Sequence, residues 1–304
     1  VEKMVEMEKA GVGAVVLKSI FEEQINEETS GVFKAGYGMG DAYPEAEDYI
    51  KAYIRSNTIQ KYVELVRNAK SRLTIPVIAS VNCFSGGEWV SFARQLEEAG
   101  ADALELNVFI LPVNEFKESA EVENVYFEIV KSIKSQIKIP VSVKISHYFT
   151  NLSAFVDKIK AYGANATTLF NRFYEPDINI NTLEMGAASV FSPAAELRTT
   201  LRWTGILAGK DKKLEISAST GVHGGEAAVK LLLAGATTVQ VCSVLYEKGI
   251  HVIEDINNFI GKWMDSKAFK TIGDYRGMLS YSSIENPDLY ERAQFMKYFS
   301  NKQY

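Results

Sequence analysis

Lys18, Asn82, Asn107, Lys144 and Asn171 share a context: each closes a short apolar, β-rich run. The runs read GAVVLKS, IPVIASVN, ADALELN, IPVSVKIS and ATTLFN. An asparagine amide offers a donor and an acceptor together, which matches the polar edge of a heterocycle. A lysine ammonium beside such amides adds attraction for an anionic part. Gathered at one place, these side chains suit a flat, polar, partly anionic ligand. Singly, a strand-end lysine is ordinarily solvated or ion-paired, and an asparagine there is a turn residue. Lys144 is the sharpest case. It lies between Val143 and Ile145 in an apolar run, so its charge requires a buried partner or a ligand.

Two further runs, LEISAST and TTVQVCS, end in small residues: Ser219 and Thr220, then Cys242 and Ser243. The first continues as STGVHGGEAA, with Gly221 in the turn. Backbone N–H groups at a strand-to-helix turn, with a helix N-terminus behind them, bind phosphate without a basic side chain. A plain glycine turn is the alternative reading.

These ends must be positioned by repeated units. A small residue plus Gly, then an apolar run, recurs from Ala10, Ala99, Tyr162 and Ala234. Glycine there accepts the left-handed conformation that stops a helix. The runs that follow are expected to be hydrophobic on both faces, as in parallel strands covered by helices. Proline opens two more strands, from Thr74 and Lys138, and LEISAST is a seventh. Helices are expected over Glu45–Arg72, Gly87–Glu98, Ala120–Gln136, Leu152–Ala161, Glu226–Leu233 and His251–Met264. The alternation predicts an α/β fold, a (β/α)8 TIM barrel whose strand ends meet at one mouth, with an open doubly wound sheet as the alternative. Seven strands are one short of a barrel, so the first is expected to be missing ahead of the opening helix VEKMVEMEKAG. The expectation is one domain over 1–304, with active-site insertions near 21–45 and 172–192 and a helical extension after Ser266.

Composition narrows the classes. A net charge of −5 from 33 Lys+Arg and 38 Asp+Glu argues against a nucleic-acid footprint. No apolar run reaches the roughly 20 residues of a membrane span. Two distant cysteines, Cys83 and Cys242, both read as lying in β-like runs, make no disulfide framework, zinc ribbon or iron–sulfur ligand set. No metal site is expected, and a reducing cytoplasmic setting is the default.

In their order along Ala10–Gly249, GAVVLKSIF, ADALELN, IPVSVKIS, the LFN strand end and ISASTGVHGGEAAVKLLLAGATTVQVCS resemble the dihydroorotate dehydrogenases. The resemblance implies an α/β barrel binding FMN at the strand mouths, an oxidoreductase of pyrimidine biosynthesis, and a homodimer. It implies that Lys18 and Lys144 contact the flavin ring catalytically, with Ser19 beside Lys18. Asn82, Asn107 and Asn171 hold flavin or substrate. Ser219, Thr220, Gly221, Cys242 and Ser243 take the FMN phosphate.

One departure follows Asn107. The family continues to Cys-Pro-Asn or Ser-Pro-Asn, whose Cys or Ser removes a proton from the substrate. This chain reads ELNVFILPVNEF, putting Ile110 or, with one insertion, Leu111 at the base, and displacing Asn114. Arg172 stands where the family prefers Ser or Thr, and with Lys144 it is expected to bind a substrate carboxylate or other anion near the flavin. Glu115, His147, Tyr148 and Tyr174 are the candidates for a replacement acid or base. The expected function is hydride transfer between FMN and a small planar or carboxylated substrate, dihydroorotate being nearest, with a redox partner protein as an electron acceptor. The alternatives are a flavin-free Schiff-base lyase using Lys144 and a non-catalytic flavin electron relay.

Overall fold

The computed structural model describes residues 1–21, 44–82, 86–172 and 175–291. Cys83, Tyr174 and the Gly-rich stretch 31–40 lie outside the described residues. The chain forms two compact units, Val1–Ile145 with Ala154–Asn165, and Ser146–Ser153 with Ala166–Tyr304.

The first unit holds strands β1 (Val15–Val16), β2 (Ile20–Phe21), β3 (Val77–Asn82), β4 (Ala103–Asn107) and β5 (Val141–Ile145). All pair in parallel: β1 and β2 on β3, β3 on β4, β4 on β5. Helices α1 (Glu2–Lys9), α2 (Pro44–Arg72), α3 (Gly86–Glu98), α4 (Ser119–Lys134) and most of α5 (Leu152–Ala161) accompany them. Val63, Val66 and Ala69 give α2 a buried stripe at helical spacing, and Tyr126, Phe127, Val130 and Ile133 do so for α4. Phe155 of α5 meets Tyr126 edge to face at 5.2 Å.

The strands depart from the expectation of two apolar faces. Val77, Ala79, Val81, Leu104, Leu106, Val141, Val143 and Ile145 are buried on one face. Side chains alternate along a strand, so the opposite face carries Ser80 and Asn82, Glu105 and Asn107, Ser142 and Lys144. Register places Ser80 beside Glu105, Glu105 beside Ser142 and Asn107 beside Lys144. The polar face is continuous across three strands, and two of its members are charged.

The second unit builds a parallel set from β6 (Ala166–Leu169), β9 (Glu215–Ala218) and β10 (Thr238–Val239). Within the Arg172–Ser192 insertion an antiparallel hairpin forms, β7 (Pro176–Asn179) with β8 (Glu184–Ala187). The helices are α6 (Leu197–Lys210), α7 (Gly225–Ala234), α8 (Ser243–Lys248), α9 (Val252–Ser266) and α10 (Asp288–Glu291). Ala218, Val222, Leu231 and Ala236 form a core beneath Leu197 and Leu201. The segment after Ser266 packs on this unit: Gly277 N–H reaches Leu232 O, and Tyr281 N–H reaches Gly205 O. Cys242 is exposed and precedes α8 rather than lying in a strand. No helix among the described residues is long and apolar enough to cross a membrane.

The recurring glycines stop helices as expected: Gly11, Gly100, Gly163 and Gly235 all have φ between +90° and +118°. They differ in surroundings. A Cβ on Gly235 would sit 2.4 Å from Ala208 Cβ, whereas one on Gly100 would meet Lys70 Cγ at 3.6 Å. Gly100→Ala is therefore expected to cost ~1–2 kcal/mol, from the left-handed backbone alone. Gly235→Ala should cost distinctly more, since Ala208 must also move. Urea unfolding midpoints check this; equal midpoints would refute it.

Candidate active site

In the first unit the strand ends present Lys18, Ser19, Asn82, Asn107 and Lys144. Ser19 Oγ and Ser80 Oγ share a 2.7 Å hydrogen bond, and Asn107 Nδ2 donates to Ser19 Oγ at 3.2 Å. Ser80 is fixed in turn: its backbone N–H donates to the Tyr62 hydroxyl at 3.0 Å, which donates to Ser80 O at 2.9 Å. Burial holds the Tyr62 phenol above its ordinary pKa, and the Glu105 carboxylate adds to the effect. Lys144 Nζ stands 3.6 Å from Glu105 Oε1, whose side chain is 3% exposed. The buried partner that Lys144 requires is thus a carboxylate two residues upstream of Asn107. Asn82 is 1% exposed, and its Oδ1 has no hydrogen-bond partner among the described residues. Lys18 is exposed, without an ion-pair or hydrogen-bond partner among the described residues.

The loop after Asn107 is anchored by its backbone. The Tyr126 hydroxyl is hydrogen-bonded to the backbone of Ile110, and burial pushes its pKa up to about 12. Ile110 is half-buried, while Leu111, Val113 and Phe116 are exposed. Asn114 closes the loop's own turn, its Oδ1 accepting from Phe116 N–H at 3.0 Å. Neither Ile110 nor Leu111 carries a group that exchanges protons.

In the second unit, Thr220 (φ +82°) and Gly221 (φ +74°) make the turn after β9. The left-handed region is costly for β-branched Thr220, and Thr220 Oγ1 donates to Phe170 O at 3.1 Å. A Cβ on Gly221 would lie 2.3 Å from Leu197 N, so only glycine fits. Gly221 N–H donates to Ser192 Oγ at 3.3 Å, and Ser192 Oγ lies 3.2 Å from Ser243 Oγ. His223 Nε2 is 2.6 Å from Ser192 O, and Thr200 Oγ1 donates to Ser219 O at 2.9 Å. Ser219, Thr220, Gly221 and Ser243 are thus brought together around buried Ser192, while Cys242 stays exposed.

Asn171 and Arg172 follow β6. The Arg172 guanidinium is engaged by its own unit: Nε bonds Glu196 at 3.1 and 3.2 Å, and Nη1 donates to Ser189 O at 2.7 Å. Nη2 pairs with Glu175 at 3.2 Å. These contacts tie down the base of the hairpin, and a substrate anion would have to compete with them. His147 is exposed, with its ring 4.3 Å from Tyr148 and edge-on to Phe170 at 5.8 Å.

Comparison with known proteins adds to this geometry. The family model for dihydroorotate dehydrogenase matches residues 54–264. The chain belongs to the dihydroorotate dehydrogenase family. It is 30% identical over 282 residues to a Thermoplasma acidophilum protein named dihydroorotate dehydrogenase B (NAD(+)), catalytic subunit, covering 90% of this chain and 89% of that one. A Pyrococcus furiosus protein of the same name is 26% identical, covering 89% and 87%. A solved structure of the Eimeria tenella enzyme in complex with ferulenol matches with a TM-score of 0.58 at 15% identity, over 72% of this chain and 67% of that one. This likeness shows the fold: the parallel strands and helices are of the TIM-barrel type. Family membership makes the chain a dihydroorotate dehydrogenase-like oxidoreductase.

Sequence reasoning missed Glu105, Ser192 and Thr200. Glu105 carries the signal that singled out Lys144, a charge between apolar neighbours (Leu104 and Leu106). Ser192 and Thr200 carry no such signal, because serine and threonine are common in loops and tolerated in helices.

Partial burial lowers the His147 pKa below its ordinary 6.5. The unfolded chain therefore takes up this proton more readily, and stability is lost as pH falls from about 6.5 through the depressed value. The melting temperature of the wild type relative to His147→Gln should accordingly drop between pH 7 and 5. A pH-independent difference would contradict the assignment.

Proposed function

We propose that the chain is an FMN-dependent oxidoreductase acting by hydride transfer on a small planar, carboxylated substrate of the dihydroorotate class. The observation that carries this reading is the polar strand face of the first unit. It offers amides and an ammonium around an unsatisfied buried acceptor, Asn82 Oδ1, which lacks a donor among the described residues. A buried acceptor without a donor is costly, and a flavin ring or substrate ring carries N–H groups that would satisfy it.

Lys18, Ser19, Asn82, Asn107 and Lys144 would hold the ring, and Asn171 the ring or substrate. Ser219, Thr220, Gly221 and Ser243 would hold the phosphate, with Cys242 beside them. When bound, FMN supplies an acceptor for hydride. The protein's part is to neutralise negative charge with Lys18 and Lys144, orient the substrate through Asn82 and Asn107, and remove the substrate's proton. Arg172, held by Glu196 and Glu175, would serve the substrate by fixing the hairpin. The Schiff-base reading loses support from Glu105: a neutral amine at Lys144 would deprive this buried carboxylate of its ammonium partner. Electrons would leave to a soluble acceptor or a partner subunit.

The proton-removing group is where this chain differs from its family. A positioned general base commonly contributes 10²–10⁴ in rate, and Ile110 supplies none. Anaerobic dihydroorotate should therefore bleach the flavin slowly, and Ile110→Cys should raise that rate by about 10²-fold. Complete absence of bleaching in both proteins, with intact chemical reduction, would remove dihydroorotate as substrate. Fast bleaching that Ile110→Cys leaves unchanged would mean that another residue already acts as the base.

A further inference from the structure

Glu105 is a charged side chain in the middle of β4, with its flanking residues Leu104 and Leu106 fully buried. Burying a carboxylate is expensive, and a buried ion pair seldom improves on an apolar pair of the same volume. Fold stability alone gives no reason for it. Its position does. Register sets Asn107 beside Lys144 and Glu105 beside Ser142, so Lys144 and Glu105 are diagonal neighbours on the polar face. The Nζ to Oε1 separation of 3.6 Å exceeds the 2.7–2.9 Å of a charge-assisted hydrogen bond. Through that oxygen the carboxylate attracts the ammonium without a short bond to it. The Lys144 side chain is 20% exposed against 3% for Glu105, so the lysine is the member of the pair a ligand reaches.

We infer that Glu105 is a positioning residue acting through Lys144: its buried carboxylate holds the ammonium at the strand end and offsets part of its charge, setting how strongly the site favours the reduced, negatively charged flavin. This rests on the flavin reading above for its redox consequence, but not for the Glu105–Lys144 coupling itself. With Glu105 neutralised, Lys144 would be less restrained and its positive charge no longer offset.

Two readouts on Glu105→Gln test this. In the protein without added flavin, acylation of Lys144 by an amine-reactive reagent, followed peptide by peptide by mass spectrometry, should be several-fold faster than in wild type, with Lys18 unchanged as the internal reference. In the FMN-loaded protein, the flavin potential should become more positive by about a tenfold change in the redox equilibrium, ~30 mV for a two-electron couple. The potential shift should vanish when Glu105→Gln is made in a Lys144→Met background. Unchanged Lys144 acylation overturns the inference whether or not flavin binds. Faster acylation in a protein that refuses FMN upholds the coupling and overturns the flavin reading instead. If E105Q fails to fold, K144M decides: adding E105Q to it should restore stability, because the buried carboxylate has lost its ammonium partner. A double variant no more stable than K144M overturns the inference.

Discussion

Burying a carboxylate beside a half-buried ammonium on one face of a parallel sheet is the constraint on which the candidate site depends. Strand alternation sends Val77, Ala79, Val81, Leu104, Leu106, Val141, Val143 and Ile145 to the opposite face, where they bury apolar surface. That burial stabilises the unit and leaves the polar face to be satisfied by its own members. Glu105 answers Lys144, Ser80 answers Ser19, and Tyr62 reaches from α2 to hold Ser80. What stays unsatisfied at these strand ends is informative: Asn82 Oδ1 is buried without a partner among the described residues, and Lys18 is an exposed cation. An acceptor and a cation left over from an otherwise closed network are the groups a planar, partly anionic ligand would complete.

The second unit solves a different problem with backbone rather than charge. The turn at Thr220–Gly221 needs two left-handed residues in succession, and Leu197 approaches so closely that a side chain at Gly221 is excluded. Ser192, carried by the insertion that holds the hairpin, bonds this turn and reaches Ser243. Arg172 fixes the same insertion from its other end through Glu196, Ser189 and Glu175. Sequence insertion, strained turn and arginine fork therefore form one structural assembly. This explains why an arginine can follow Asn171 without being spent on a ligand.

Much of this was legible in the sequence. The small-residue-plus-glycine phrases marked helix ends because glycine alone takes positive φ cheaply, and the strands named from these phrases are strands in the structure. Lys144 was legible as a charge in an apolar run. Helix α6 was not, because Thr199, Thr200, Thr204 and Gly205, all weak helix formers, interrupt its pattern. Gly205 is there because the Tyr290 ring packs where a Cβ would be, a contact between residues far apart in the chain. The hairpin was missed although Ile178 and Ile180, and Leu183 and Met185, alternate with polar residues: all four are exposed, and no core explains the pattern. Ser192 is defined by what it touches and not by its neighbours in sequence. Local rules recover elements that stand on their own spacing and miss those justified only by a distant partner.

The central claim is that the polar strand face of the first unit serves a flavin. The measurement that tests it most directly is a titration of the purified full chain with FMN, followed by visible absorbance and quenching of flavin fluorescence. Saturable binding at one FMN per chain, weakened by Asn82→Ala, is the predicted result. A protein that neither carries flavin nor binds it saturably would contradict the account and leave the polar strand face to other chemistry.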